Sequence, residues 1–217
     1  MNKIYALLGG ACTGKDTVRR MLLQLHPELV EATSHTTRPM RATENGSEYY
    51  FIDVDEFRNM YEAGEFIETR TYEVVGDKPG EMETWYYGYS VDEINEKLER
   101  GNILMIVDLQ GFKEFKEIYK DRCIGIYLDV DRDLRVRRYL ERDRLTYKNV
   151  AECIRRIDDD DNRAFNGYEE WVDHIITTFN SEYTTKKIEK IIYGEWLYVT
   201  QYRKRFIGTI SRWRKKI

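Results

Sequence analysis

Short apolar runs recur along the chain, with longer helix-like segments between them. Runs with the length and character of buried strands cover residues 4–8, 29–33, 103–107, 124–128 and 175–179. Apolar residues three and four positions apart, the spacing of one helix face, occur in residues 17–25, 91–98, 112–119 and 134–140. This alternation predicts an α/β fold of three layers, in which helices cover both faces of a central parallel sheet.

Two regions interrupt the alternation. Residues 35–90 combine a short helix-like segment at 54–61 with strand-like pieces at 48–52, 65–69 and 85–89. Residues 143–150 are polar and lie between two arginine-rich helices. In α/β proteins, segments outside the sheet at the carboxyl ends of its strands are where ligands bind. We therefore expect ligand-binding residues in both regions.

Composition and charge narrow the class of protein. The 217 residues, 41% hydrophobic and 34% charged, suit one soluble globular domain, and a net charge of −4 argues against a protein that coats nucleic acid. Three widely spaced cysteines, Cys12, Cys123 and Cys153, are expected to be reduced thiols of a cytoplasmic protein. The apolar run at 4–8 is too short to span a membrane, so no transmembrane segment is expected.

A phosphate-binding loop follows the first strand. Gly9, four further residues and then Gly14-Lys15 have the spacing of a P-loop, between a strand and a helix as that motif requires. Glycines let backbone N–H groups turn toward an anion, and a lysine adds a point charge for the β- and γ-phosphates of ATP. A glycine-rich turn without a ligand is the less favoured alternative. The expected ATP-binding residues are Gly9, Gly10, Ala11, Cys12, Thr13, Gly14, Lys15, Asp16 and Thr17.

One residue departs from the P-loop pattern. Asp16 occupies the position where Ser or Thr usually helps to hold Mg²⁺, and Thr17 follows it. Either residue is a candidate for contacting Mg²⁺ through metal-bound water, because Mg²⁺ prefers hard oxygen ligands and keeps several waters. Alternatively, Asp16 is only an acidic residue favoured by the helix dipole.

A second anion site is predicted in the region after the next strand. Residues 34–41 read SHTTRPMR, and residues 48–51 read EYYF. Two arginines three positions apart, flanked by hydroxyl groups, suit a phosphate monoester, which guanidinium groups bind bidentately. Taken alone, such a cluster is more often a solvated loop.

Together with the P-loop, these segments resemble the guanylate kinase family. Residues 65–68, 86–88 and 108–111, which read EFIE, YYG and DLQG, extend the resemblance. The resemblance implies a P-loop fold with a nucleoside-monophosphate-binding subdomain and a lid. It also implies that GMP contacts Ser34, Arg38, Arg41, Tyr49, Glu68, Tyr87, Tyr89 and Asp108.

The chemistry of guanine agrees with two of these positions. Its pairing edge carries two N–H donors, which the carboxylates of Glu68 and Asp108 would accept, whereas adenine would set its N1 acceptor against a carboxylate. Alternatively, Glu68 is an outward-facing strand residue and Asp108 a helix N-cap. The family places Ser or Thr where this chain has Tyr89, and the loop at 69–85 is longer, so another or a modified base is a second possibility.

A lid is expected at residues 138–156. Arg138 and Arg142 lie four positions apart on one helix face, and Arg156, or Arg155 in its place, follows on the next helix. The resemblance implies that these arginines cover the transferring phosphoryl group as catalytic residues beside Lys15. The acidic run at 158–161 is interpreted as a solvated helix surface.

The sequence therefore predicts an enzyme that phosphorylates GMP or dGMP with ATP and Mg²⁺. Alternatives are a kinase for another (deoxy)nucleoside monophosphate and a non-catalytic protein-binding module, which is less favoured because such modules lose the phosphate loop. The catalytic domain is expected at 1–194, with its acceptor region at 35–90. Residues 195–217 form a basic amphipathic extension, expected to pack in a monomer or homodimer rather than to bind nucleic acid or membrane.

Overall fold

Strands and helices alternate through most of the chain. The computed structural model describes residues 1–40, 44, 46, 49–75, 82–142 and 147–194, without the side chains at 74, 75, 82, 142 and 147–149. The strands are β1 (Ile4–Leu8), β2 (Val30–Glu31), β3 (His35–Thr36), β4 (Tyr50–Phe51), β5 (Phe66–Val75), β6 (Met82–Ser90), β7 (Ile103–Ile106), β8 (Cys123–Asp129) and β9 (His174–Thr177). The α-helices are α1 (Lys15–Leu25), α2 (Val54–Glu62), α3 (Val91–Arg100), α4 (Leu109–Tyr119), α5 (Arg132–Arg142) and α6 (Tyr147–Asp159), and residues 181–194 are also helical.

The main sheet is parallel and has the strand order β2-β7-β1-β8-β9. Strand β1 lies at its centre, with Ile4 opposite both Ile103 of β7 and Cys123 of β8. The predicted α/β fold is confirmed. The connections after β1, β7 and β8 all leave from the carboxyl edge of the sheet, so the loop after β1 lies where α/β proteins bind ligands.

Both faces of β1 are buried. Its even-numbered residues join the cluster that includes Phe112 and Phe115 of α4, and its odd-numbered residues join the cluster that includes Val18 and Leu22 of α1. A strand packed by helices on both sides must be apolar at every position, which explains the uninterrupted run in the sequence. These two clusters hold the loop after β1 on a rigid base.

The interrupting region forms a second sheet with the order β4-β3-β6-β5. Strands β5 and β6 pair as a hairpin from Phe66 opposite Ser90 to Val75 opposite Met82, further than the predicted pieces at 65–69 and 85–89. Residues 71–73 are exposed, so the outer part of the hairpin has no apolar run that would reveal it. Strand β2 is shorter than the predicted run at 29–33.

Helices α5 and α6 pack against each other through Tyr139, Cys153 and Ile157. Helix α6 already begins at Tyr147, inside the segment predicted only as polar, and a π-helical turn at Asp160–Ala164 follows it. Residues 143–146 lie outside the described residues. Within the ranges described, no helix combines the length and apolar content that crossing a membrane requires.

Candidate active site

The loop between β1 and α1 has the backbone conformation of an anion-binding turn. Its residues Gly9, Cys12 and Gly14 have φ angles of 140°, 61° and 97°. Helix α1 begins at Lys15, and Gly14 at its N-cap offers no side-chain hydrogen bond. The first N–H groups of α1 therefore lack a side-chain cap, and together with the helix dipole they favour an anion.

Lys15 folds its side chain over this loop. Its Nζ donates to the carbonyl oxygens of Gly9 and Gly10, at 2.5 and 2.8 Å, and lies 3.4 Å from Thr13 Oγ1. Burial lowers the pKa of Lys15 to about 8. The lysine is thus held in the loop, where a bound polyphosphate would meet its charge.

A carboxylate that is distant in the sequence also contacts the loop. The backbone N–H of Ala11 donates to Asp160 Oδ2 at 2.6 Å, and Arg135 Nη2 donates to the same oxygen at 2.7 Å. Arg135, only 4% exposed, also donates from Nε to the carbonyl of Ala11 at 3.0 Å. A Cβ atom at Gly10 would lie 2.3 Å from the Arg135 guanidinium, so this close packing requires glycine there. The interpretation of residues 158–161 as a solvated surface was wrong for Asp160.

The three predicted lid arginines differ in their placement. Arg138 lies over the phosphate loop, where Nη1 is 3.2 and 3.3 Å from the carbonyl oxygens of Cys12 and Thr13. Arg156 is exposed and donates to Glu152 at 2.8 Å, so the structure does not bring it to the loop. Arg155 pairs with Glu152 as well, at 2.8 Å. The side chain of Arg142 lies outside the described residues.

The predicted acceptor-phosphate residues gather at the start of the second sheet. Arg38 is 4% exposed, donates to Glu44 at 2.6 Å, and lies 5.3 Å from the ring centroid of Tyr49. Ser34 is buried just before β3. Arg41 lies outside the described residues. The site thus combines a buried arginine with an aromatic wall, an arrangement that suits a dianionic phosphate.

The base end of the predicted pocket contains an arginine between its two carboxylates. Glu68 and Asp108 lie 3.4 and 2.9 Å from the guanidinium of Arg70. Asp108 also caps α4 by accepting from the N–H of Gly111 at 2.7 Å. Burial raises the pKa of Glu68 to about 7, against the opposing effect of Arg70.

The two predicted tyrosines occupy different environments. The ring of Tyr87 packs edge-on against Tyr49, with 5.8 Å between the ring centroids. The hydroxyl of Tyr89 instead donates to the carbonyl of Ile106 at 3.2 Å, and burial raises the pKa of that hydroxyl. The hydroxyl of Tyr89 is therefore already hydrogen-bonded to strand β7 of the main sheet.

Comparisons with known proteins point to one family. A sequence profile described as guanylate kinase matches residues 1–195. The chain belongs to the guanylate kinase family. A structure of guanylate kinase from Anaplasma phagocytophilum is 26% identical and superposes with a TM-score of 0.60, over 89% of this chain and 86% of that one.

Curated members of the family are similar over a shorter stretch. A guanylate kinase of Porphyromonas gingivalis is 37% identical over 131 residues, which are 59% of this chain and 65% of that protein. One of Geobacter metallireducens is 34% identical over 127 residues, which are 58% of this chain and 56% of that protein. The chain thus spans less than two thirds of the length of these curated relatives.

Three site residues of this family member, Arg135, Arg70 and Asp160, were missed by sequence reasoning. Arg135 precedes Arg138 by three positions on α5, so helical spacing already placed it on the same face. Arg70 follows Glu68 by two positions in β5, and alternate strand residues share a face. Asp160 carried no comparable local signal, because its partner Ala11 is 149 positions away.

Proposed function

We propose that the chain transfers the γ-phosphoryl group of ATP to the phosphate of GMP or dGMP, giving ADP and GDP or dGDP. The observation that carries the proposal is the phosphate loop with both Lys15 and Arg138 in contact with it. The same chain holds a second candidate anion site, in which the buried Arg38 lies against the ring of Tyr49. A donor polyphosphate and an acceptor phosphate each have a candidate site of their own.

The reaction needs positioned charge rather than a strong base. A phosphate oxygen of the acceptor bonds to the γ-phosphorus as the bond from that phosphorus to the β,γ-bridging oxygen breaks, and ADP leaves with the electron pair. Lys15 and Arg138 both contact the phosphate loop, where they would meet the negative charge that spreads over the transferring group and would lower the barrier electrostatically. Arg38 would hold the acceptor. Its guanidinium, which donates to Glu44 in this structure, would then donate to the acceptor's phosphate instead.

The start of α1 fits Mg²⁺ bound with ATP. Asp16 offers a hard carboxylate whose side chain is 82% exposed, 3.6 Å from Arg19 and beside the phosphate loop. Asp16, directly or through water, and Thr17 are the residues that would hold the ion, since Mg²⁺ usually takes one or two protein ligands in addition to phosphate oxygens. The ion would neutralise charge on the β- and γ-phosphates.

A cytoplasmic setting belongs to the same proposal, supported by three free cysteines, Cys12, Cys123 and Cys153. Small nucleotides are the proposed partners. The catalytic roles of Arg142 and Arg156, the oligomeric state, the domain limits and the packing role of residues 195–217 stay predictions.

The test is to mix the protein with ATP, Mg²⁺ and GMP and to measure GDP by chromatography. Lys15→Ala should lower kcat by about 100-fold or more, the cost of removing one transition-state donor, while the melting temperature stays within a few degrees. Lys3→Ala, an exposed lysine at the other end of β1, is the matched control and should change neither quantity. Near-normal turnover by Lys15→Ala would contradict the assigned role of the loop.

A further inference from the structure

Arg70 is held in place by acidic residues at the base end of the acceptor pocket. Its Nε donates to both oxygens of Asp108, at 3.0 and 2.9 Å, and Asp108 is itself fixed by the N–H of Gly111. Its Nη1 lies 3.4 Å from Glu68 and 3.6 Å from Glu114. These contacts fix the plane of the guanidinium. They do not involve its second terminal nitrogen, Nη2.

Two neighbouring polar atoms of this cluster make no hydrogen bond, although one of them, Glu68 Oε2, lies 3.4 Å from Arg70 Nη1 in an ion pair. Arg70 Nη2 and Glu68 Oε2 are both buried and have no hydrogen-bond partner among the described residues. A Cβ atom at Gly111 would lie 2.9 Å from Arg70 Nη2 and 3.1 Å from Glu68 Oε2, so both atoms pack against the same glycine. Glu68 is only 5% exposed. Buried donors and acceptors are nearly always hydrogen-bonded in proteins, so a neighbouring donor and acceptor that lack such bonds point to a ligand that supplies both.

Arg70 also borders a cleft large enough for a base. Arg70 and Asp108 line a cavity of about 540 Å³ between the start of α4 and the π-helical turn after α6, together with Gln110 and Arg163. The hydroxyl of Tyr89, at the position where the family carries Ser or Thr, already donates to the carbonyl of Ile106. Among the donors that line this cleft, Arg70 is the one that contacts both predicted base-binding carboxylates, Glu68 and Asp108.

We infer that Arg70 donates to O6 of the acceptor guanine while Glu68 accepts from its N1–H, so that the pair selects a ring carbonyl next to a ring N–H. This inference rests on the proposed function. Adenine and cytosine present the reverse order, an amino donor next to a ring-nitrogen acceptor. They would therefore set a donor against Arg70 and an acceptor against the carboxylate of Glu68. Asp108 acts here as a positioning residue, because it orients Arg70 through Nε.

The test measures binding, so that it does not depend on turnover. Isothermal titration compares GMP, IMP and 2-aminopurine ribonucleoside monophosphate, which lacks both O6 and N1–H. The unaltered protein should bind GMP and IMP far more tightly than the 2-aminopurine nucleotide. Arg70→Met should weaken GMP and IMP binding by about 10- to 100-fold, the range for hydrogen bonds to charged groups, and leave the 2-aminopurine nucleotide within about threefold.

Two further variants separate base reading from a structural role. Arg70→Lys keeps a positive charge for the three carboxylates but loses the planar fork, and it should also reduce the preference for GMP over the 2-aminopurine nucleotide. If Arg70→Met does not fold, the Arg70→Lys variant tests whether Arg70 reads the base. Arg58→Met, an exposed arginine of α2, is the control.

Equal losses for all three nucleotides in the Arg70 variants would overturn the inference, as would a protein that binds GMP no more tightly than the 2-aminopurine nucleotide. GDP formation is followed separately. A selectivity that depends on Arg70 without GDP formation would contradict the proposed function and leave the base reading standing. GDP formation with a selectivity that does not depend on Arg70 would contradict the base reading and leave the proposed function standing.

Discussion

Replacing Glu68 with glutamine should stabilise the protein while weakening its recognition of guanine. Burial, with Asp108 and Glu114 nearby, raises the pKa of Glu68 from 4.5 to about 7, although Arg70 opposes the rise. At roughly 1.4 kcal/mol per pH unit, the ionised carboxylate costs the folded state about 3 kcal/mol. Glu68→Gln has nearly the same shape and carries no charge to desolvate.

The sign of the pH dependence follows from the direction of this shift. Between pH 4.5 and about 7 the folded protein holds a proton on Glu68 that the unfolded chain has released, so the free energy of unfolding falls as the pH rises through this window. The Glu68→Gln variant does not lose stability in this way, because it has no carboxylate at position 68. The variant should therefore be more stable than the unaltered protein by about 3 kcal/mol at pH 8, and the difference should approach zero near pH 4.5.

Urea unfolding followed by circular dichroism at pH 5, 6, 7 and 8 measures this difference. Glu62→Gln, an exposed residue at the end of α2, is the matched control and should show no pH-dependent gain. A Glu68→Gln variant that is less stable at pH 8, or whose difference is the same at pH 5 and pH 8, would refute the argument from burial. Weaker GMP binding by the stabilised variant would show that the cost of burying Glu68 is tied to function.

Three other changes test separate parts of the site. Arg38→Ala should weaken GMP binding by about 10- to 100-fold, since a charge-assisted bond is lost, with little effect on ATP; equal losses in titrations of both nucleotides would mean that the acceptor site is misplaced. Asp160→Asn removes a negative charge that contacts the phosphate loop at Ala11, so ATP should bind several-fold more tightly in the same assay, and weaker binding would show that the carboxylate supports the loop. Removing residues 195–217 should lower the melting temperature or change the oligomeric state measured by light scattering, and no change in either would count against a packing role.

The parts of the site that the sequence predicted are those encoded locally. The phosphate loop depends on the spacing of Gly9, Gly14 and Lys15, and its strand–loop–helix setting can be recognised from apolar runs alone. Helix α5 brings Arg138 to the loop for the same reason, since four-residue spacing defines a helix face.

The rest depends on contacts between distant residues. Asp160 reaches Ala11 across 149 positions, and Arg70 reaches Asp108 across 38, so neither pair leaves a mark in local periodicity. Arg156 was expected at the phosphate loop, but a glutamate four positions earlier on α6, Glu152, pairs with it in this structure. A helical i,i+4 pair of this kind competes locally with any long-range role.

The most direct test of the central claim is a panel of acceptors in a coupled assay for ADP release, with ATP and Mg²⁺ in excess. The account predicts turnover with GMP and dGMP, and a kcat/KM for AMP and CMP that is lower by roughly 10⁴-fold, because those bases would leave buried groups of the pocket unpaired. A panel in which AMP, CMP or TMP matches GMP would contradict the assignment of guanine, and ADP release that no nucleoside monophosphate stimulates would contradict the kinase itself.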